Sequence, residues 1–183
     1  MLRHLGLTGI DIIGYSTGAA VALQLGIEHP DLVGKLILIS PGYNAEAMHP
    51  GIMDGIAGLQ PEHLAGTPFE ASYAKNAPRP QDWPVLIEKI KEMEHEVVEW
   101  TAEQVSGIAA PTMLVLGDSD IIRPEHAVEM FRLLGGGVAG DLVGLPASRL
   151  AVLPGTTHIT VVQRAEWLLP MIEEFLATET RSE

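Results

Sequence analysis

With 183 residues, 46% of them apolar and 19% charged, the chain is sized for one domain with a sizeable core and is not disordered by composition. Lys and Arg number 11 against 24 Asp and Glu, a formal charge of −13 without a basic run, which excludes the electrostatic footprint of a nucleic-acid binder and disfavours anionic lipid surfaces. Cysteine is absent, so disulfides, thiolate metal sites and cysteine nucleophiles are excluded together.

The opening segment, Met1 to Leu7, has no signal-peptide core, and no apolar run reaches the ~18 residues of a membrane span. A soluble, cytoplasmic protein is expected. Met1 to Leu5 reads as the last turn of a helix. The first strand is Ile10 to Ile13, an apolar run bounded by glycine, as expected of a strand buried on both faces. Ala19 to Ile27 is small and apolar nearly all round, hence a helix pressed into a core, closed by Pro30. A second strand, Val33 to Ile39, stops at Ser40-Pro41-Gly42.

From residue 43 to about 108 strand-like runs give way to Gly, Pro, Met and short helical pieces, which predicts an inserted helical lid. Its clearest helix is Trp83 to Trp100, with apolar residues at 86, 87, 90, 93, 97 and 98. Beyond Pro111 the alternation resumes. Met113 to Leu116 is a strand, Pro124 to Leu134 a helix, Leu150 to Leu153 a strand, and Val161 to Leu176 a helix broken at Pro170. Gly135 to Ser148 is read as a surface excursion. The expected architecture is α/β: one domain over 1–183, a mostly parallel sheet of about four strands, flanking helices and the lid at 43–108.

Gly14-Tyr15-Ser16-Thr17-Gly18 fits G-x-S-x-G between a buried strand and a buried helix. So tight a turn strains the serine backbone and leaves no room for bulk two residues away, which the glycines on either side satisfy. It lifts the Ser16 hydroxyl above the sheet and aims the Thr17 N–H at a developing oxyanion. The plainer alternative is a turn at a helix N-terminus, with Ser16 or Thr17 only capping. A serine nucleophile needs a base, and the base an orienting carboxylate. Both follow in the order Ser, Asp, His at later strand ends, in Gly117-Asp118-Ser119-Asp120 and in Pro154-Gly155-Thr156-Thr157-His158.

With these motifs the chain resembles the α/β-hydrolase fold superfamily of lipase/esterase-like serine hydrolases over nearly its whole length. The family's nucleophile elbow matches Gly14, Tyr15, Ser16 and Gly18, with Thr17 as oxyanion donor. Its acid, in a G-x-x-D-x-x-x-P arrangement, matches Gly117, Asp120 and Pro124, and its histidine matches His158. The resemblance implies a partial hydrolase fold and ester or related acyl hydrolysis through an acyl-enzyme, with no cofactor. It extends equally to perhydrolysis, lactone opening, carbon–carbon cleavage and aminopeptidase action.

Competing assignments have plainer readings. Asp118 is expected as a turn residue or helix N-terminal charge, since the spacing favours Asp120. Histidines 4, 29, 49, 63, 95 and 126 are expected as solvated or lid residues. Glu46-x-x-His49 and Glu92-x-x-His95 have metal-ligand spacing, but Pro50 and Gly51 spoil the first helix and no bundle is predicted, so no metal is assigned. Gly135-Gly136-Gly137 lacks the Lys-Ser/Thr of a phosphate loop and reads as a turn. Met48, Met53, Trp83, Leu86, Met93 and Trp100 could line an acyl pocket, though such residues are more often ordinary packing.

Full family members carry further strands ahead of the elbow and a loop giving a second oxyanion N–H, and these have no counterpart here. Two expectations follow. Residues 10–13 form an exposed sheet edge, favouring a homodimer, and turnover with one oxyanion donor is about 10²–10³ slower than a full member's. A truncated chain accounts for both features. The expected partner is a small-molecule ester or acyl substrate, with no nucleic acid and no membrane. The contrasting reading is a hydrolase-fold module that binds without turnover.

Overall fold

A computed structural model describes residues 1–95 and 99–178, the side chains of residues 94 and 95 left aside. The chain divides into two compact units, Met1–His49 with Glu99–Glu183, and Pro50–Val98. The first opens with a 3-10 turn, Leu2–Leu5, then strand β1 (Ile10–Tyr15), helix α1 (Thr17–Glu28) and strand β2 (Val33–Ile39). The second is helical: α2 (Ile52–Ala57), α3 (Pro68–Asn76) and α4 (Trp83–His95). The first unit then resumes with α5 (Ala102–Ser106), β3 (Thr112–Ser119), α6 (Pro124–Leu133), α7 (Gly140–Val143), β4 (Arg149–Thr157) and α8 (Ala165–Ala177). Among the described residues no helix is long and apolar enough to cross a membrane.

The four strands form one parallel sheet in the order β1-β2-β3-β4. Successive residues of a strand face opposite sides, and the core divides accordingly. Leu36, Leu38 and Leu114 join Ala19, Ala22 and Leu23 of α1 and Met130 of α6 in one cluster. Ile37, Ile39, Met113 and Val115 join Leu153 of β4 and Leu168, Ile172 and Phe175 of α8 in the other. A parallel sheet covered by helices on both faces needs strands apolar at consecutive positions, and Leu36 to Ile39 supplies such a run.

The expected strands are all present, but Ile10 to Ile13 is not buried on both faces, since Ile10 and Ile12 are half-buried and Ile13 is exposed at the sheet edge, and pairing runs further than the apolar runs. Tyr15 pairs with Ile39 and Ser119 with Thr157, so β1, β3 and β4 continue into polar residues that no apolar run marks. At the near end β1 is an edge strand, and Ile13 on it is 55% exposed.

Three elements differ from expectation. The helix read over 83–100 is α4, Trp83–His95; Val97 and Val98 lie outside the described residues. Trp100 is not helical: its N–H donates to the Tyr43 carbonyl (2.8 Å), and Thr101 then caps α5 in a reciprocal box with Gln104. The break expected at Pro170 is absent, because α8 runs through it. Proline there forfeits only the bond to the Glu166 carbonyl, while Leu168, Ile172 and Phe175 stay buried on both sides of it. Finally, the Gly135–Ser148 excursion holds the short helix α7.

Of the residues considered for an acyl pocket, Met53, Trp83, Leu86 and Met93 belong to the helical unit, where the Tyr73 and Trp83 rings lie 5.4 Å apart. Met48 and Trp100 belong to the sheet unit. Met48 makes an isolated bridge with Ile122, and Trp100 sits in the core cluster with Leu36 and Leu38.

Lys35 on β2 is a buried polar residue with a structural task. Its Nζ donates to the carbonyls of Leu176 (2.5 Å), Thr178 (2.6 Å) and Phe175 (3.3 Å) at the end of α8, the last of which also accepts from the Thr178 hydroxyl (2.6 Å). Lys35→Met should remove this donor from the Leu176 and Thr178 carbonyls, while the Phe175 carbonyl keeps the Thr178 hydroxyl, and lower unfolding free energy by about 1–3 kcal/mol, seen as a lower denaturant midpoint at unchanged m-value. A wild-type midpoint would show that Lys35 is dispensable.

Candidate active site

The far ends of β1, β3 and β4 carry the residues singled out by sequence. Ser16 follows β1 with φ 54° and ψ −122°, a strained conformation for a non-glycine residue. Its N–H is fixed to the Ile39 carbonyl of β2 at 2.9 Å. The Ser16 side chain does not cap α1; instead Oγ lies 2.9 Å from His158 Nε2, and His158 Nδ1 lies 2.8 Å from Asp120 Oδ1. Ser16, His158 and Asp120, separated by up to 142 residues, are thus joined in one chain of hydrogen bonds.

The elbow glycines are not equivalent. A Cβ on Gly14 would lie 2.2 Å from the Gly18 carbonyl oxygen, so β1 and the first turn of α1 approach too closely for any side chain. A Cβ on Gly18 would meet nothing within 4 Å. The expectation that both glycines are demanded by bulk therefore holds at Gly14 only. Gly117 repeats the Gly14 situation, since its Cβ would meet the Thr156 carbonyl oxygen at 2.3 Å. That contact lies at the register shift between β3 and β4, just before Asp120. Thr17 is the first residue of α1, a position whose N–H has no intrahelical acceptor.

Asp120 has a fully buried side chain, and four donors surround it. Oδ1 accepts from His158 Nδ1 and from the Ile122 N–H (3.2 Å); Oδ2 accepts from Ser40 Oγ (2.6 Å) and from the Gly117 N–H (3.3 Å). Burial by itself would raise its pKa, but the bonds from His158, Ser40 and Ile122 outweigh that and hold the carboxyl below its ordinary range. An ionised Asp120 only accepts, so the proton between the two residues is assigned to Nδ1, leaving Nε2 to accept from the Ser16 hydroxyl.

Three residues contribute to the site in ways the sequence did not disclose, and a fourth, His126, is buried elsewhere in the sheet unit. Ser40, just past β2, bonds Asp120. Tyr15 donates its hydroxyl to the His158 carbonyl (2.7 Å), with its ring 5.2 Å from the imidazole; burial first, then the Asp120 charge, pushes its phenol pKa up. Asp118 is not a simple turn residue. Its carboxylate accepts from the N–H groups of Gly155 (2.9 Å) and Thr156 (3.3 Å), tethering the start of the histidine loop to β3. The Gly155 bond above all lowers its pKa. His126, expected to be solvated or in the lid, is buried on the inner face of α6, where Nε2 accepts the Tyr43 N–H (3.3 Å) and the ring stacks on Tyr43. Burial lowers its pKa. An alternation of apolar and polar residues does not reveal an inward histidine whose partner lies 83 residues away.

The chain is similar to several known proteins. The family described as alpha/beta hydrolase fold matches residues 1–79. An uncharacterized protein of Mycobacterium tuberculosis (strain ATCC 25618 / H37Rv) is 23% identical over 215 residues, covering 100% of this chain and 60% of that protein. A 2-hydroxy-6-oxo-6-phenylhexa-2,4-dienoate hydrolase of Burkholderia cepacia is 39% identical over 57 residues, 31% of this chain and 20% of that protein. Among solved structures, a meta-cleavage product hydrolase from Pseudomonas fluorescens IP01 superposes with a TM-score of 0.68 at 12% identity, covering 96% of this chain and 67% of that one. Over residues 1–79 the chain is similar to the α/β-hydrolase fold family, and its fold is that of this solved structure. It spans 60% of the length of the mycobacterial relative.

The unequal glycines give a paired prediction. Gly14→Ala should destabilise the chain by several kcal/mol or prevent folding, as overpacking against backbone does (about 3 kcal/mol or more). Gly18→Ala, in a helix with open space, should fall within about 1 kcal/mol of wild type. Equal thermal midpoints for the two variants would contradict the close approach.

Proposed function

We propose that the protein is a serine hydrolase that cleaves a carboxylic ester or similar acyl compound through an acyl-enzyme intermediate. The observation that carries this reading is the continuous bonding from Ser16 Oγ through His158 to Asp120, at 2.9 and 2.8 Å. Ser16 attacks the substrate carbonyl carbon while His158 Nε2 takes its proton. The resulting oxyanion is held by the N–H of Thr17, at the positive end of α1. Asp120 stabilises the imidazolium, which returns the proton to the departing alcohol as the carbon–oxygen bond breaks. Water, deprotonated by His158, then attacks the acyl carbon and releases the acid and free Ser16. These steps draw only on side chains, backbone and water.

The strained Ser16 backbone supports the same reading, since conformations of this kind collect at functional sites. A formal −13 mildly disfavours anionic substrates.

Labelling with a fluorophosphonate probe, alongside hydrolysis of p-nitrophenyl esters of graded acyl length, tests the proposal. Wild type should label and turn over. Ser16→Ala should not label, and Ser16→Ala or His158→Ala should lower kcat by about 10³-fold or more. Labelling that persists in Ser16→Ala, or a folded wild type that does not label, would refute it; the latter outcome favours a binding module.

For partners we propose, besides the acyl substrate, a second copy of the chain pairing at the outer edge of β1, supported by the half-exposed Ile13 at that edge. Light scattering at tens of micromolar should then report a dimer that Ile13→Lys converts to monomer; a wild-type monomer would rule it out.

A further inference from the structure

We propose that Ser40 is the positioning residue of the acid: its hydroxyl pins Oδ2 of Asp120 so that Oδ1 faces His158, and it draws off part of the carboxylate's charge. The catalytic meaning of this rests on the serine-hydrolase reading; the placement of the hydroxyl does not.

Three observations converge. First, Ser40 is buried at 2% exposure, and its Oγ–H donates to Asp120 Oδ2 at 2.6 Å, a short bond of the charge-assisted kind. Second, the two carboxylate oxygens are divided in their partners. Oδ2 faces Ser40 and the Gly117 N–H, while Oδ1 faces the Ile122 N–H and His158. Rotation about the terminal torsion of an aspartate is otherwise soft, so a donor on Oδ2 fixes which way Oδ1 points. Third, Ser40 holds φ at 53°, a left-handed value that glycine adopts freely and serine does not. The backbone there is anchored by the Ser40 N–H on the Val115 carbonyl at 2.7 Å. Conformation alone would favour glycine at this position. What serine adds is the hydroxyl, and the hydroxyl is spent on Asp120.

The consequence for the histidine has a definite sign. A hydroxyl proton on Oδ2 offsets negative charge that would otherwise stabilise the imidazolium on Oδ1. Without it, His158 should hold its proton to higher pH, because opposite charge nearby favours the charged form. The titratable groups that reach Asp120 are His158 and the Tyr15 phenol; Asp118 is engaged with Gly155 and Thr156. Neither Tyr15 nor Asp118 is altered by a change at residue 40.

The test compares Ser40→Ala with Ser40→Gly. Both lose the hydroxyl, but only the glycine variant relieves the backbone. The imidazole of His158 is followed by NMR titration, its resonances assigned by their loss in His158→Asn, and kcat and KM are measured against pH on a p-nitrophenyl ester. Both variants should shift the His158 midpoint and the acidic limb of kcat/KM upward by about 0.5–1 pH unit. In both, kcat should fall about 2–10-fold at unchanged KM. The thermal midpoint should be lower for alanine than for glycine, since alanine retains the left-handed strain.

A wild-type His158 midpoint in both variants overturns the proposal. So does a shift confined to alanine, which would assign the effect to backbone strain. The NMR titration decides the matter without turnover. If wild type fails to label at Ser16 while the midpoints still move, the hydrolase reading falls and the positioning role stands.

Discussion

A carboxylate sealed from water is tolerated only when its oxygens are met by donors, and the buried carboxylate of Asp120 sets that condition for the whole rim. Its donors come from the end of β2, from β3 and the turn after it, and from the loop after β4. They can converge only if these strands are neighbours, run the same way and stop at one level. The observed register, Ile39 beside Val115 and Gly117 beside Leu153, meets this demand. The two-sided packing of Leu36 to Ile39 and Met113 to Val115 makes the register hard to change, since a one-residue slip would exchange the faces of every side chain.

The two aspartates at the end of β3 show how one short segment separates two tasks. Asp118 lies within the register shift between Gly117 and Ser119, and Asp120 follows it. Asp118 stays at the surface and is satisfied by backbone N–H groups, so it fastens a loop. Asp120 turns inward and is satisfied by a hydroxyl, an imidazole and two backbone N–H groups, so it can respond to the charge on its neighbour. Gly117 makes the division possible by letting β4 come within contact of the β3 backbone.

Much of this was legible in the sequence because it is periodic or local. Buried strand middles appear as apolar runs, the elbow as glycines around Ser16, and the order Ser, Asp, His as residues at strand ends. What stayed hidden is long-range. Ser40 and Asp120 are 80 residues apart, Tyr15 and His158 are 143 apart, and nothing in the pattern of polar residues marks such pairs. Strand ends were undercounted because hydrogen bonding continues after hydrophobicity stops. The helix expected over 83–100 does not include Trp100, whose N–H bonds the Tyr43 carbonyl, a partner 57 positions away that apolar spacing does not mark. Pro170 does not break α8, because the lost bond is local while the packing of Leu168, Ile172 and Phe175 around it is not.

The ammonium of Lys35 beneath the last turn of α8 has a mechanical corollary. The same helix begins shortly after the loop that carries His158, so its two ends serve different masters. With three terminal carbonyls clamped from the neighbouring strand, fraying that starts at the far end is arrested there rather than travelling back along the axis. The clamp acts as a strain relief for the end of α8 that lies away from the His158 loop, as a knot does where a cable leaves its housing.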